Sequence, residues 1–492
     1  MVRDQFENGN SEKFNLITRI FSVIFLFISV FFMFRVSTSS MLPAKFFYLV
    51  LAAIIVFNFI FLHIAFKRRT SKLAQLFIII FYLILSLGLI FANAKLSEVS
   101  NFIKENFDEK KSYSVYNVIV NKDSKANSLS DIKGAELFTY EEPVKEISND
   151  ALKQKVSNVI SDSTLVFKED LETVMERPLK MLETPSVVNN GTYESYLSVN
   201  EDYEQKIKII GEIKIEITGK VDNDQTDAKK ETIASKPFLL FINGIDTRTG
   251  TMPSRSLSDV NILAAVNPET KKNLLVAIPR DTYVQLHGTT GLMDKLTHSG
   301  SRGGIDLTVS TVEDLFDLEI DRYIRVNFNF VTDLVDNIGG ITVTNDLDHA
   351  LTLDGCVYKP GDNAVDGKCA LRFARERKSY STGDRHRGEN QEQVISRIVE
   401  KIQNDKNLLT DYGKILNALN GSFDTNFTSD DITALVRMQL DDMKSWSIES
   451  YNINGTGKMT KTYSYPNQNL YVMMPNLDTI NTAKSKITEI LK

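Results

Sequence analysis

The chain has 492 residues but only two cysteines, five histidines and one tryptophan. So little cysteine excludes a disulfide-dense scaffold and any thiolate-rich zinc or iron–sulfur centre. The five histidines are scattered, with no HExxH or comparable metal signature. Excess positive charge is lacking too: 57 basic against 63 acidic residues leave a formal net charge of −6. That argues against a nucleic-acid partner, whose binders carry a basic balance. No GxSxG nucleophile elbow and no P-loop occur. At about 150 residues per domain, the length predicts roughly three units.

What is present is unevenly spread. Mean hydropathy is only −0.15, yet 17 of the 29 phenylalanines precede residue 96. Three apolar runs hold 15 of these 17, roughly Leu16 to Phe34, Phe46 to Phe66 and Leu73 to Ala94. A 21-residue helix is about 31 Å long, the thickness of a bilayer core. Residues 1–96 are therefore expected to form a membrane anchor of three transmembrane helices. The loop KRRTSK (Lys67–Lys72) holds four basic residues, against Arg35 and Lys45 in the loop before it. The positive-inside rule then places KRRTSK and the N-terminus in the cytoplasm and everything after Lys95 outside. Arg19, near the start of the first run, can snorkel to the inner interface.

Residues 97–232 read as an extracellular accessory domain and linker, a small α/β or α+β unit. Strand-like stretches lie at 114–120 and 206–218, and amphipathic helical stretches around 143–160 and 166–182. No catalytic spacing appears in it, and it ends in the polar VDNDQTDAKKETIASK. Residues 233–492 alternate strand-like and helical stretches. The expected fold is α/β, a central mixed sheet flanked by helices. In such sheets ligands gather beyond the carboxyl ends of strands, where Asp246 and Arg280 fall.

The stretch 371–391, LRFARERKSYSTGDRHRGENQ, is the richest in chemistry. Arg372, Arg375, Arg377, Lys378, Arg385 and Arg387 crowd into it. Alternation in FARER, on an extended strand, aims Arg375 and Arg377 at one face. Paired guanidinium forks suit a multiply charged phosphate, because their planar donors match it bidentately; a solvated charged surface is the plainer alternative. Asp246 and Asp259 stand 13 residues apart at strand edges, a spacing that one antiparallel turn brings together. Two hard carboxylates beside an arginine cluster suit magnesium or manganese on a diphosphate; turn-capping aspartates would look the same. Arg280 can join the anion site or pair with Asp281. Lys295 is a similar candidate, and His298 beside it reads as a packing histidine. Cys356 and Cys369 flank a Pro-Gly turn and are read either as a disulfide or as two buried thiols.

Taken in order, GIDTR, SDVNIL, IPRDTYV, DKLTHSG, IGGITVTN, FARER and GDRHRGENQ resemble the LytR–CpsA–Psr family of bacterial cell-wall glycopolymer transferases. The likeness is strongest over residues 236–400. Three spans and an accessory segment are similar to its capsule-associated CpsA branch. The resemblance implies an LCP-like catalytic domain over 233–492, with an apolar groove for a polyprenyl chain. It implies transfer of a polyprenyl-diphosphate-linked glycan, with its linking phosphate, to a peptidoglycan acceptor, with capsule-synthesis membrane proteins as further partners. By motif, Asp246 and Asp259 match the magnesium-associated aspartates. Arg280, Arg375, Arg377, Arg387 and Gln391 match the diphosphate-binding set, with Arg280, Arg375 and Arg377 closest to the chemistry and Asp384 a weaker carry-over. The family's R-S-D reads Arg255-Ser256-Leu257-Ser258-Asp259 here. That keeps Asp259 in register with its strand and leaves the place of Arg255 open. Two rival functions remain at this point: a polyprenyl-diphosphate glycan hydrolase, and a non-enzymatic membrane regulator of capsule or wall synthesis.

Overall fold

The computed structural model describes residues 2–66, 72–107, 112–142, 147–200, 202–217, 233–247, 252–381, 383–404 and 421–492. The basic loop 67–71 and most of the polar linker lie outside these residues. The chain divides into two compact units, Met1–Asp108 with Thr232–Ala234 and Thr428–Lys444, and Glu109–Glu231 with Ser235–Phe427 and Ser445–Lys492.

The first unit holds α1 (Val2–Ser39), α2 (Ala44–Phe66) and α3 (Lys72–Phe107). Each contains a stretch long and apolar enough to cross a membrane: Leu16–Ser39, Ala44–Phe66 and Gln75–Phe107. Their outer faces carry exposed Phe27, Phe59 and Phe91, as a lipid-facing surface requires. Their inner seam is small and polar in places. Asn58 of α2 donates to Ser29 Oγ of α1 at 3.3 Å, and Phe25 packs on Tyr82 with ring centroids 5.1 Å apart.

Among the described residues, the second unit contains two large sheets and four two-stranded ladders. The first is built from β1 (Ser112–Asn121), β2 (Glu136–Tyr140), β3 (Thr164–Lys168), β4 (Ser186–Asn189) and β5 (Ile207–Ile217), in the order β3-β2-β4-β1-β5. On one face Val118, Leu137 and Val187 pack with Leu152 and Val156 of α4 (Asn149–Val159). On the other, Ile119 and Val188 meet α5 (Leu171–Lys180) and α6 (Asn190–Val199). The expected helix over 166–182 thus begins later, after β3 has used its first residues.

The second sheet joins β6 (Phe238–Ile245), β7 (Ser258–Asn267) and β8 (Lys272–Ala277) to strands from later in the chain. A short ladder, β9 (Tyr283–Val284) with β10 (Asp294–Lys295), leads into α7 (Leu296–Phe316). Then come β11 (Arg322–Asn327), α8 (Phe328–Asn337), β12 (Ile341–Asn345), β13 (Leu351–Leu353), β14 (Cys356–Tyr358), β15 (Gly361–Val365), α9 (Gly367–Arg375) and α10 (Asp384–Asn404). β16 (Phe423–Thr425) and β17 (Ser447–Asn452) complete a sheet of order β16-β11-β6-β7-β8-β17. The central strands are apolar on both faces because both are covered. Leu239, Phe241 and Leu263 pack against α7 and the C-terminal helix Leu477–Ile490. Ile262, Ala264 and Leu275 face Ile395 of α10.

The cysteines are joined: Cys356 and Cys369 form a disulfide with Cα atoms 5.6 Å apart. It ties β14 to the first turn of α9.

Candidate functional site

The strand directions bring three chain segments to one edge of the second sheet. β6 is antiparallel to β7 and β7 to β8, while β11 runs parallel to β6 and β17 parallel to β8. The carboxyl ends of β6 and β8 and the start of β7 therefore share an edge. Asp246 follows the last residue of β6. Gly244 pairs with Val260 and Ile245 with Ser258, so Asp259 is the extra residue of a bulge. A bulge bends its strand and re-aims a side chain, a device common beside active sites. Arg280 lies three residues beyond β8.

Two carboxylate–guanidinium pairs occupy this edge. Arg280 Nη1 donates to Asp259 Oδ1 at 2.9 Å, and Thr297 Oγ1 donates to the same oxygen at 3.4 Å. Arg375 Nη2 donates to Asp246 Oδ2 at 3.0 Å. The Arg375 guanidinium also sits 4.3 Å above the Phe328 ring, a contact that holds its plane. Behind them, Lys295 Nζ donates to Asp281 Oδ1 at 2.9 Å. Burial pushes the Asp281 carboxyl up, but Lys295, Arg280 and Arg387 together outweigh it and hold the group below its ordinary range. The adjacent Asp281 takes its hydrogen bond from Lys295, while Arg280 reaches across to Asp259.

The FARER segment differs from the extended strand its alternation predicts. Asp366 caps α9 by accepting from Cys369 N at 2.8 Å, and the helix runs through Arg375. Ala370, Phe373 and Ala374 form its buried stripe, so a helical period decides the local structure. Arg375 ends the helix, where a cation meets the negative end of the helix dipole. Glu376 is extended, and Arg377 follows it as an exposed residue. Arg375 is thus placed by a helix end and Arg377 by the irregular segment after it, not by one strand face.

Asp384 opens α10. Arg387 and Gln391 are one turn apart on it and share a face, Arg387 buried and Gln391 partly so. Arg255 goes elsewhere. It is 2% exposed, and its Nη1 lies 3.4 Å from Glu142 Oε2 of the first sheet's segment. Desolvated and paired there, it braces the junction of the two sheets. His298 is a packing histidine, buried with Nδ1 2.7 Å from Asp294 Oδ1.

One group escapes a motif reading. Glu392 of α10 is buried, and its Oε2 accepts from Asn452 Nδ2 at 3.2 Å. Burial pushes its carboxyl up to about 8, against the hydrogen bonds from Asn452 and the Ala277 backbone. Its signal in the sequence is an acid three residues before Ile395, within the apolar stripe of a helix.

Among the described residues no group of three or more histidine, cysteine, aspartate or glutamate side chains is arranged to hold a metal ion. Asp246 and Asp259 offer two carboxylates at one edge. That donor set suits magnesium, which takes one or two protein carboxylates and completes its shell with water and phosphate oxygens.

The sequence model of the LytR_cpsA_psr family matches residues 192–480, more than half of the chain. A Bacillus licheniformis protein named polyisoprenyl-teichoic acid–peptidoglycan teichoic acid transferase TagU is 38% identical over 196 residues, covering 40% of this chain and 62% of that one. Its Bacillus subtilis namesake is 34% identical over 247 residues, covering 50% and 78%. A Streptococcus mutans protein named biofilm regulatory protein A is 33% identical over 254 residues, covering 49% and 62%.

Proposed function

The chain belongs to the LytR–CpsA–Psr family, and from that premise we propose that it transfers a polyprenyl-diphosphate-linked glycopolymer to peptidoglycan. The linking phosphate travels with the glycan, and polyprenyl phosphate is released. Capsular polysaccharide or another wall glycan is the polymer of this reading, and capsule-synthesis membrane proteins are its suppliers. The observation that carries it is the pairing of Asp246 with Arg375 and of Asp259 with Arg280 at one sheet edge.

In this mechanism Arg280, Arg375, Arg377 and Arg387 grip the diphosphate, and Gln391 donates a hydrogen bond to it. The Asp partners hold Arg280 and Arg375 in place before substrate arrives, so little reorganisation is needed as charge develops. A peptidoglycan sugar hydroxyl attacks the glycan-linked phosphorus. The new phosphorus–oxygen bond forms as the bond to the bridging oxygen breaks, and the hydroxyl proton passes to solvent or a nearby carboxylate. A magnesium or manganese ion held by Asp246 and Asp259 would offset charge on the phosphate oxygens. On the sheet face toward α10, Leu240, Ile242, Val260 and Ile395 are only partly buried. That apolar surface beside the phosphate edge suits an isoprenoid chain.

The anchor fits the same reading. With KRRTSK in the cytoplasm, the three spans put the second unit outside, beside a donor lipid embedded in the same bilayer.

The test uses the full-length protein in lipid nanodiscs, a polyprenyl-diphosphate-linked saccharide and peptidoglycan. Saccharide covalently joined to peptidoglycan is the expected product. Saccharide phosphate released at the same rate with or without peptidoglycan would make the protein a hydrolase instead, with water in the acceptor's place.

A further inference from the structure

Resting on that transferase reading, we propose that Glu194, in the segment before the catalytic sheet, is a positioning residue that fixes the Asp259 arm of the phosphate site. It makes the first sheet part of the catalytic apparatus.

Glu194 lies on α6, the helix after β4. Its Oε2 accepts from Ser256 Oγ at 2.5 Å and from Leu257 N at 3.3 Å. Its Oε1 accepts from Asn190 Nδ2 at 2.8 Å. Asn190 Oδ1 in turn accepts from Asn117 Nδ2, in the middle of β1, at 3.1 Å. One end of the relay is a buried strand and the other is the bend two residues before Asp259. A carboxyl group that accepts three such hydrogen bonds is held firmly in place.

The bend is clamped from both sides. A Cβ added at Gly191 of α6 would come within 2.7 Å of Arg255 Cβ, and one at Gly300 of α7 within 2.5 Å of Ser256 O. Ser258 Oγ accepts from Asn243 Nδ2 at 3.0 Å, tying the same stretch to β6. Asp259 follows as the bulge residue, with Arg280 on its carboxylate. Burial raises the Glu194 carboxyl to about 7, against the hydrogen bonds from Ser256, Asn190 and Leu257, with a small further push from the Asp259 charge. A bulged strand end has few ladder bonds of its own, so its geometry depends on such outside contacts. Without Glu194, Ser256 Oγ and Leu257 N–H lose their acceptor, and the aim of Asp259, and with it of Arg280, loosens.

The experiment compares Glu194→Ala, Glu194→Gln and, as a control on the exposed part of β5, Glu212→Ala, each in the full-length protein in nanodiscs. Glu194→Ala is expected to lower kcat for transfer at least tenfold, to shift Tm by no more than a few degrees, and to speed amide exchange in the peptide over 255–262. Glu194→Gln, which keeps an acceptor oxygen, is expected to recover most of kcat, and Glu212→Ala to match the unsubstituted protein. Wild-type kcat in Glu194→Ala, or unchanged exchange over 255–262, would overturn the inference. So would equal damage in both Glu194 variants together with a collapsed Tm, which would mark a role in folding alone. If the unsubstituted protein shows no transfer, the functional reading fails, while amide exchange still decides whether Glu194 holds the Asp259 arm.

Discussion

Arg375 and Asp246 meet at 3.0 Å although 129 positions separate them in the chain. The carboxylate comes from a strand end and the guanidinium from the last turn of a helix, two rigid supports. Such a pair, partly exposed, contributes little stability by itself. Its value lies in presenting a guanidinium already aimed at an incoming phosphate. Arg375→Ala should therefore cost about 2–4 kcal/mol of transition-state stabilisation, a loss of roughly 30- to 1,000-fold in kcat/KM. Arg375→Lys should recover only part of it, since an ammonium cannot bind bidentately. Steady-state transfer assays check both, and wild-type rates in Arg375→Ala would remove this arginine from the site.

The two carboxylates at the edge lead to a metal prediction. Transfer should fall on chelation and return with magnesium or manganese. Asp246→Asn and Asp259→Asn should each raise the metal concentration needed for half-maximal rate. Binding of manganese, followed by its electron paramagnetic resonance signal, supplies a readout independent of turnover. Unchanged binding in both variants would move the ion elsewhere.

The Cys356–Cys369 disulfide closes a short loop between β14 and α9. A loop of about 15 residues loses roughly 3 kcal/mol of unfolded-state entropy when cross-linked. Cys356→Ser with Cys369→Ser should lower the denaturant midpoint accordingly, and a reductant should do the same to the unsubstituted protein but not to the double variant. Because α9 ends in Arg375, activity should fall before the fold is lost.

Glu392 makes stability fall as pH rises. Its carboxyl titrates near 4.5 in an unfolded chain and at about 8 in the folded protein. Between those values the folded state keeps a proton that the unfolded state has released, so each rise in pH favours unfolding, and above about 8 the penalty is complete. Glu392→Gln removes the charge and should raise stability over wild type by about 1–4 kcal/mol at pH 9 and by little at pH 4. Thermal melts across that range check it. A variant no more stable than wild type at pH 9 would show that water or a cation already offsets the charge.

Orientation can be read by labelling. A cysteine at Thr70, in the basic loop, should react with a membrane-impermeant maleimide only in permeabilised cells. One at Asn127, exposed in the second unit, should react in intact cells. The reverse pattern would invert the topology.

Much of the architecture is written in local pattern. The three helices long and apolar enough to cross a membrane were legible because each carries a run of some twenty apolar residues. The strands β6, β7 and β8 were legible because residues buried on both faces read as unbroken apolar runs. The ends of those strands marked Asp246 and Arg280. FARER reads as a strand because its charges alternate, while Ala370, Phe373 and Ala374 form the stripe that makes it a helix. Glu194 had no signal in the sequence: an acid on a helix looks solvated until a distant segment, Ser256 and Leu257, comes to lie against it.

By itself the sequence determined what neighbours along the chain can decide: which segments are apolar, which repeat at 2 or 3.6, and where charge gathers. The tertiary structure alone decided the partners: Arg280 with Asp259 rather than its neighbour Asp281, Arg255 with Glu142, Glu194 with Ser256 and Leu257. Periodicity is a property of a few consecutive residues, whereas a charge pair depends on where the packed core brings distant segments, and no local pattern carries that distance.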